Sequence, residues 1–225
     1  MKKLITLLLA ASMGTALMCG CSAGTSSETE ASETVAEQTE AASQAGVSDW
    51  EMNDDRQALF DAAMDGFVGA DYVPLLCLGT PDSNPLGTTF LCRSTAVVPD
   101  AESYWAFVTV QDVGSEVTIE DIKFPQYAHS TTADTMYLSD DPDELMEGGF
   151  YPTQDLAVTA ELTEAFYEVA PEDVADAQLC ALLATQETAG TNYCILINAD
   201  GEWKCAFITV SDYGNFLLTV ADLTL

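Results

Sequence analysis

Few residues in this sequence are of a type and spacing that could do chemistry. Five cysteines lie in the region able to fold: Cys77, Cys92, Cys180, Cys194 and Cys205. Zinc would call for paired Cys-x-x-Cys or Cys/His spacings, and none is present. Each of the five sits inside an apolar, strand-like run, where cysteine behaves as a small hydrophobe. Export would allow disulfides. Cys77 with Cys92 and Cys180 with Cys194 are candidates, each pair spanning one hairpin, and the odd count leaves at least one thiol free or paired between molecules. His129 is the single histidine. It falls in a polar stretch with no visible partner for proton transfer. Acidic pairs such as Asp140-Asp141 stand among Ser and Pro and read as solvated charge. There is no Gly-x-Ser-x-Gly elbow and no glycine-rich phosphate loop. The reading is a protein without catalytic residues, metal or cofactor.

The elements that must position these residues begin after an export signal. Lys2 and Lys3 open the chain, Leu4 to Met18 is apolar, and small residues follow. That is too short and wrongly flanked for a lasting membrane span. The run ends Met18-Cys19-Gly20-Cys21-Ser22, which resembles a bacterial lipobox, with Gly20 before Cys21 fitting better than Met18 before Cys19. Residues 1–21 are therefore expected to be a lipoprotein signal peptide, with Cys21 the lipidated residue. A plain secretory signal with two incidental cysteines is the alternative. Residues 22–48 are rich in Ala, Ser, Glu and Thr and have no aromatic residue. Such a segment cannot bury enough apolar surface to fold, and its like charges extend it. It reads as a disordered acidic linker holding the rest away from the membrane.

The charge is one-sided. All 37 acidic residues follow Cys21, and only Arg56, Arg93, Lys123 and Lys204 are basic there, so the mature charge is 4 − 37 = −33. That disfavours nucleic acid or an anionic membrane surface as a partner. It suits solubility and basic partners.

The folding region repeats itself at a spacing of about 100 residues. Ala106 to Gly114 aligns with Ala206 to Gly214, Val117 to Ile122 with Leu218 to Leu223, and Gly87 to Phe90 with Gly190 to Tyr193. Repeat one, residues 49–124, predicts a helix capped by Asp54 or Asp55, with Leu59, Ala62, Ala63 and Phe67 on one stripe. Strands follow around 72–79, 89–98, 104–111 and 116–124. Residues 125–147 read as an exposed linker. Repeat two, residues 148–225, predicts a helix capped by Thr159 with Leu162, Phe166 and Val169 buried, stopped by Pro171. Its strands fall at 178–185, 192–198, 203–210 and 216–223. Asp200-Gly201 suits a type I′ turn. One sheet face would pack on the helix, and Trp50, Trp105 and Trp203 read as core or interface residues.

Gln186-Glu187-Thr188-Ala189-Gly190-Thr191-Asn192-Tyr193 resembles the central hairpin tip of cystatins, inhibitors of papain-like cysteine proteases whose signature is Gln-x-Val-x-Gly. The octapeptide also fits an ordinary hairpin. Gly148 and Gly149 stand where the family has its N-terminal glycine, and Asp212-Tyr213 where its second hairpin carries Pro-Trp. Thr188 and Asp212 depart from the pattern, and the repeat-one loop Pro81 to Gly87 keeps only the glycine. The resemblance covers roughly residues 148–225. It implies an α+β fold of two tandem cystatin-like domains, each one helix packed on a four-stranded antiparallel sheet. It also implies a protease-binding edge made of Gly148, Gly149, Gln186, Glu187, Thr188, Ala189, Gly190, Asp212 and Tyr213.

The expected function is protein binding at the extracytoplasmic face of the cell membrane, by a lipid-anchored chain. Inhibition of a papain-like cysteine protease through the second repeat is the first reading. A non-inhibitory adhesion or scaffold module, binding another envelope or host protein, is the second. A small-ligand carrier would need an apolar pocket between helix and sheet.

Overall fold

The computed structural model describes residues 50–114, 116–127, 135–141 and 149–224. They belong to one compact unit, Gly46–Leu225. The elements in chain order are α1 (Asp54–Met64), β1 (Ala70–Gly79), β2 (Gly87–Ala96), β3 (Ser103–Asp112), β4 (Val117–Pro125), β5 (Leu138–Ser139), β6 (Tyr151–Pro152), α2 (Ala160–Val169), β7 (Gln178–Glu187), β8 (Thr191–Ala199), β9 (Glu202–Ser211) and β10 (Gly214–Asp222). They build two antiparallel sheets, ordered β1-β2-β3-β4-β5 and β10-β9-β8-β7-β6. Among the described residues no helix is long and apolar enough to cross a membrane.

The strands form where β-branched and aromatic residues dominate, and turn chemistry joins them. Asp200 and Gly201 take positive φ of 53° and 93° between β8 and β9, and Asn198 Oδ1 accepts from Gly201 N at 3.0 Å. Glycine bears such a φ without a Cβ clash.

The helices keep their expected places with local changes, among them Val169, which is only partly buried. Asn53, rather than Asp54 or Asp55, caps α1: its Oδ1 accepts from Arg56 N at 2.9 Å. Asp54 and Asp55 instead occupy the first turn, where the helix dipole favours negative charge. The helix ends at Met64, so Phe67 lies outside it, 40% exposed, edge-on to Tyr72. Ala62 points to solvent, while Phe60 and Ala63 are buried. Phe60 packs on Phe90 with ring centroids 5.3 Å apart. In α2 the Thr159 hydroxyl accepts from Leu162 N at 3.2 Å as expected, and Leu162, Ala165 and Phe166 are buried.

The expectation of two tandem cystatin-like domains, each a helix on four strands, is overturned. The described residues are mostly strand: two five-stranded antiparallel sheets and two helices. The short fifth strands pair at the sheet rims, β5 with β4 at Phe124 and Pro125, and β6 with β7 at Ala184 and Thr185. The sheets are also covered on both faces. Phe90–Cys92, Trp105–Val108, Cys194–Ile197 and Cys205–Ile208 are buried without alternation, the pattern of strands enclosed on two sides. In the second sheet Ile195, Ile197, Ala206 and Ile208 pack under Leu162 and Phe166 of α2. Their neighbours Cys194, Leu196, Cys205 and Phe207 join Leu91, Trp105 and Phe107 of the first sheet in a shared core. A sequence reading that gave each sheet a single inner face missed this, because an unbroken apolar run does not say how many layers cover it.

The seam between the halves is closed by aromatic and polar contacts. Trp203 Nε1 donates to Leu78 O at 2.6 Å, and Trp203 meets Trp50 edge-on at 5.8 Å. Phe150 packs on Phe207 at 5.8 Å and on Tyr127 at 6.2 Å. Part of the expected exposed linker serves the seam: Gln126, Tyr127, Met136 and Ser139 are buried.

A shared core predicts one unfolding transition. Urea denaturation followed by tryptophan fluorescence and by far-UV circular dichroism should give coincident curves. Trp203→Phe keeps most of the ring but loses the bond to Leu78, so stability should fall by about 1 kcal/mol with the transition still single. Two separate transitions would refute the common core.

Candidate functional site

The bends between β7 and β8 and between β9 and β10 lie side by side at one end of the second sheet. Glu187 pairs with Thr191 to close the first bend, and Gly214 with Ser211 to close the second. Thr191 in turn pairs with Val210. A Cβ on Gly190 would lie 2.5 Å from Val210 O and 2.6 Å from Ser211 Cβ. The glycine is required because the bend passes this close to the backbone of the next hairpin. Gly149, with φ of 78°, stands beside them: a Cβ there would lie 3.6 Å from Gln186 Nε2. Gly148 lies outside the described residues, as do Cys21 and His129.

The named residues divide into two sets. Thr188, Gly190 and Gln186 hold the shape. Thr188 N donates to Gly190 O at 2.7 Å, and Thr188 Oγ1 donates to the same oxygen at 3.0 Å. A valine there could not make the hydroxyl bond, so the departure from the cystatin signature has a local structural role. Gln186 Oε1 accepts from Asn192 Nδ2 at 2.6 Å, and Asn192 Oδ1 accepts from Thr209 Oγ1 at 2.7 Å. That ladder ties three strands together across the sheet. Glu187, Ala189, Asp212 and Tyr213 form the second set, and they face solvent. Tyr213 is 87% exposed. Its bend is held by Ser211, whose Oγ donates to Gly214 O at 3.0 Å and accepts from Tyr213 N at 3.3 Å.

Three of the cysteines, Cys92, Cys180 and Cys194, lie where the thiolate is disfavoured. All five are free. Register forbids both expected disulfides: Cys77 stands opposite Phe90 and Cys92 opposite Pro74, while Cys194 stands opposite Ala184 and Cys180 sits in a bulge between Leu179 and Ala181. Burial pushes the Cys92 thiol well up. Burial, with the Cys205 sulfur beside it, does the same to Cys194. The Cys180 thiol is raised to about 12, chiefly by desolvation. A nucleophile needs the thiolate, which these environments disfavour. Asp140 is exposed and bonds Lys123 Nζ at 2.5 Å. No group of three or more His, Cys, Asp or Glu among the described residues could hold a metal.

Among the described residues, clefts open at the sheet ends. One, of about 570 Å³, lies between loop 80–83 and turn 200–203, with Trp203 and Lys204 in its wall. The other, of about 420 Å³, is bounded by Tyr104, Tyr151 and Gln154. Neither is the apolar helix–sheet pocket that a ligand carrier calls for.

Sequence reasoning missed two exposed apolar residues that continue from Tyr213 along β10. Phe216 is 52% and Leu218 42% exposed. The signal was the run from Gly214 to Ala221, which carries no charge in so acidic a chain. No protein-family model, curated protein or solved structure matches this chain.

Gly190→Ala should destabilise the protein by about 1–3 kcal/mol, the usual cost of overpacking, read as a lowered urea midpoint. A neutral effect would mean that the two bends do not touch as described. Native-state labelling with a maleimide at pH 7 should reach Cys180 slowly and leave Cys77, Cys92, Cys194 and Cys205 unmodified until urea is added. Mass spectrometry of tryptic and chymotryptic peptides reports the sites.

Proposed function

We propose that this chain is a lipid-anchored binding module, held by Cys21 and the 22–48 segment at the extracytoplasmic face of the membrane, and that it acts by contact rather than catalysis. One observation carries the reading. Tyr213 stands 87% exposed on a bend braced against Gly190, with Gly149 alongside. An aromatic side chain held out on a rigid bend loses little conformational freedom when it is buried by a partner, and Tyr is enriched among residues that dominate binding energy. Glu187 and Asp212 flank it and favour a partner with basic groups around an apolar groove.

The groove of a papain-like cysteine protease is the partner class we infer first. Two adjacent bends with a glycine segment beside them would fill such a cleft and block it. Thr188 and Gly190 would act through the shape they hold, and Tyr213 and Ala189 through contact. The second reading, a non-inhibitory adhesion or scaffold module, uses the same end of the sheet on an envelope or host protein. It is favoured by the self-bonding of Gln186 and Thr188, which leaves their polar groups already engaged.

The test uses the full chain against a panel of papain-like proteases. Reversible inhibition is expected. Tyr213→Ser should weaken it at least tenfold, about 1.4 kcal/mol, with the melting temperature unchanged. Substitution at Gly190 does not serve here, since it disturbs the fold. Absence of inhibition across the panel would remove the protease reading. Tyr213-dependent retention of one envelope or host protein would then support the scaffold reading.

A further inference from the structure

Four strand rims bound the two sheets, and they are not treated alike. The outer rim of β1 is met by backbone: Cys77 N donates to Trp50 O at 2.8 Å and Glu51 bridges Leu76. Pro74 also interrupts its donors. The rim of β7 is covered by β6 and by Thr153 and Leu156, whose backbones bond Leu183 and Leu182. The rim of β4 is capped at one end by β5 and carries Glu120, Asp121 and Lys123 along the rest. These are the usual devices that keep a sheet edge from pairing. The fourth rim, β10, has none of them over most of its length. Among the described residues Thr135 and Met136 meet its backbone at Asp222. From Gly214 to Ala221 it has neither proline nor charge, it is the outermost strand of its sheet among the described residues, and Phe216 and Leu218 stand exposed.

We propose that the rim of β10 accepts an extended strand from another protein, apolar at alternate positions and basic at its ends. Backbone bonds along such an edge supply affinity, and alternate side chains supply specificity. Charge selects the occupant. The apolar stretch lies between Asp212 and Asp222. Lys204 bridges both Asp222 and Glu202, so two carboxylates share one cation and that end stays net negative. Glu168 approaches from α2, where its Oε2 accepts from Asn215 Nδ2 at 2.6 Å. A second copy is disfavoured by the same groups. Antiparallel pairing of two β10 strands about Leu217 would bring Asp222 of one copy and Asp212 of the other together at each end, in chains of net charge −31. A lysine- or arginine-ended strand would meet those carboxylates favourably. This proposal goes beyond the binding function of the bends: a groove that takes Tyr213 and Ala189 makes no use of the β10 amides.

The probe is a short synthetic peptide of alternating valine and threonine with lysines at both ends, added to the full chain. Fluorescence anisotropy should show binding, and hydrogen–deuterium exchange should slow at amides 214–221. Replacing the terminal lysines by glutamates should weaken binding at least tenfold. N-methylation of alternate peptide amides should do the same, and this control depends on no variant of the protein. Leu218→Lys, at an exposed side chain, should abolish peptide binding while Tyr213-dependent binding by the bends persists. No exchange protection at 214–221 would overturn the proposal. So would a concentration-dependent dimer in sedimentation that Leu218→Lys dissolves, since the occupant would then be a second copy.

Discussion

The back-to-back burial of the two sheets is the constraint on which the rest depends. Leu91, Trp105 and Phe107 from one half and Leu196 and Phe207 from the other are nearly or wholly removed from water in one core. Each large apolar side chain so buried contributes about 1.5–3 kcal/mol. A half of this size alone would form only a marginal core. Separated, each half would expose the face that now meets its partner. The duplication is therefore a way of covering two sheets four times over: a helix outside each, and each sheet against the other.

That arrangement explains how the bends are held. In the second sheet one face is fixed by α2 and the other by the seam, so the strand ends have little freedom to splay. The bends need only local bonds to keep their shape, and Thr188, Gly190 and Ser211 provide them. Rigidity and presentation are carried by different residues. The polar groups of Gln186 and Thr188 are satisfied within the chain, while the Tyr213 ring is left to solvent. A substitution in the first set changes the fold, and one in the second changes the surface.

Electrostatics shapes the outside as burial shapes the inside. Lys204 bridges Asp222 and Glu202, and Lys123 bridges Asp121 and Asp140. Two of the four cations that follow Cys21 are thus spent on carboxylates at strand ends. Arg93 is placed differently: it lies over the Trp105 ring and donates to Gln154 O at 3.1 Å, stitching the halves together. The remaining surface is acidic, which makes the uncharged stretch of β10 stand out.

Much of this was legible in the residues themselves. The duplication, the order of one helix and then strands in each half, the Thr159 cap and the Asp200-Gly201 turn all follow from interactions among neighbours in the chain, so local composition was enough to find them. The positions of both bends were legible for the same reason, since glycine and polar residues interrupt apolar runs there. What covers each sheet was decided only by tertiary structure. Phe90-Leu91-Cys92 and Cys205-Ala206-Phe207 read alike whether one face is buried or two, and the helix-on-four-strands expectation failed at that point. The role of Gly190 was hidden too, because its requirement comes from Val210, twenty residues away. Local sequence settled where the chain turns and pairs; which surfaces it then removed from water depended on a contact between distant halves that no short-range pattern encodes.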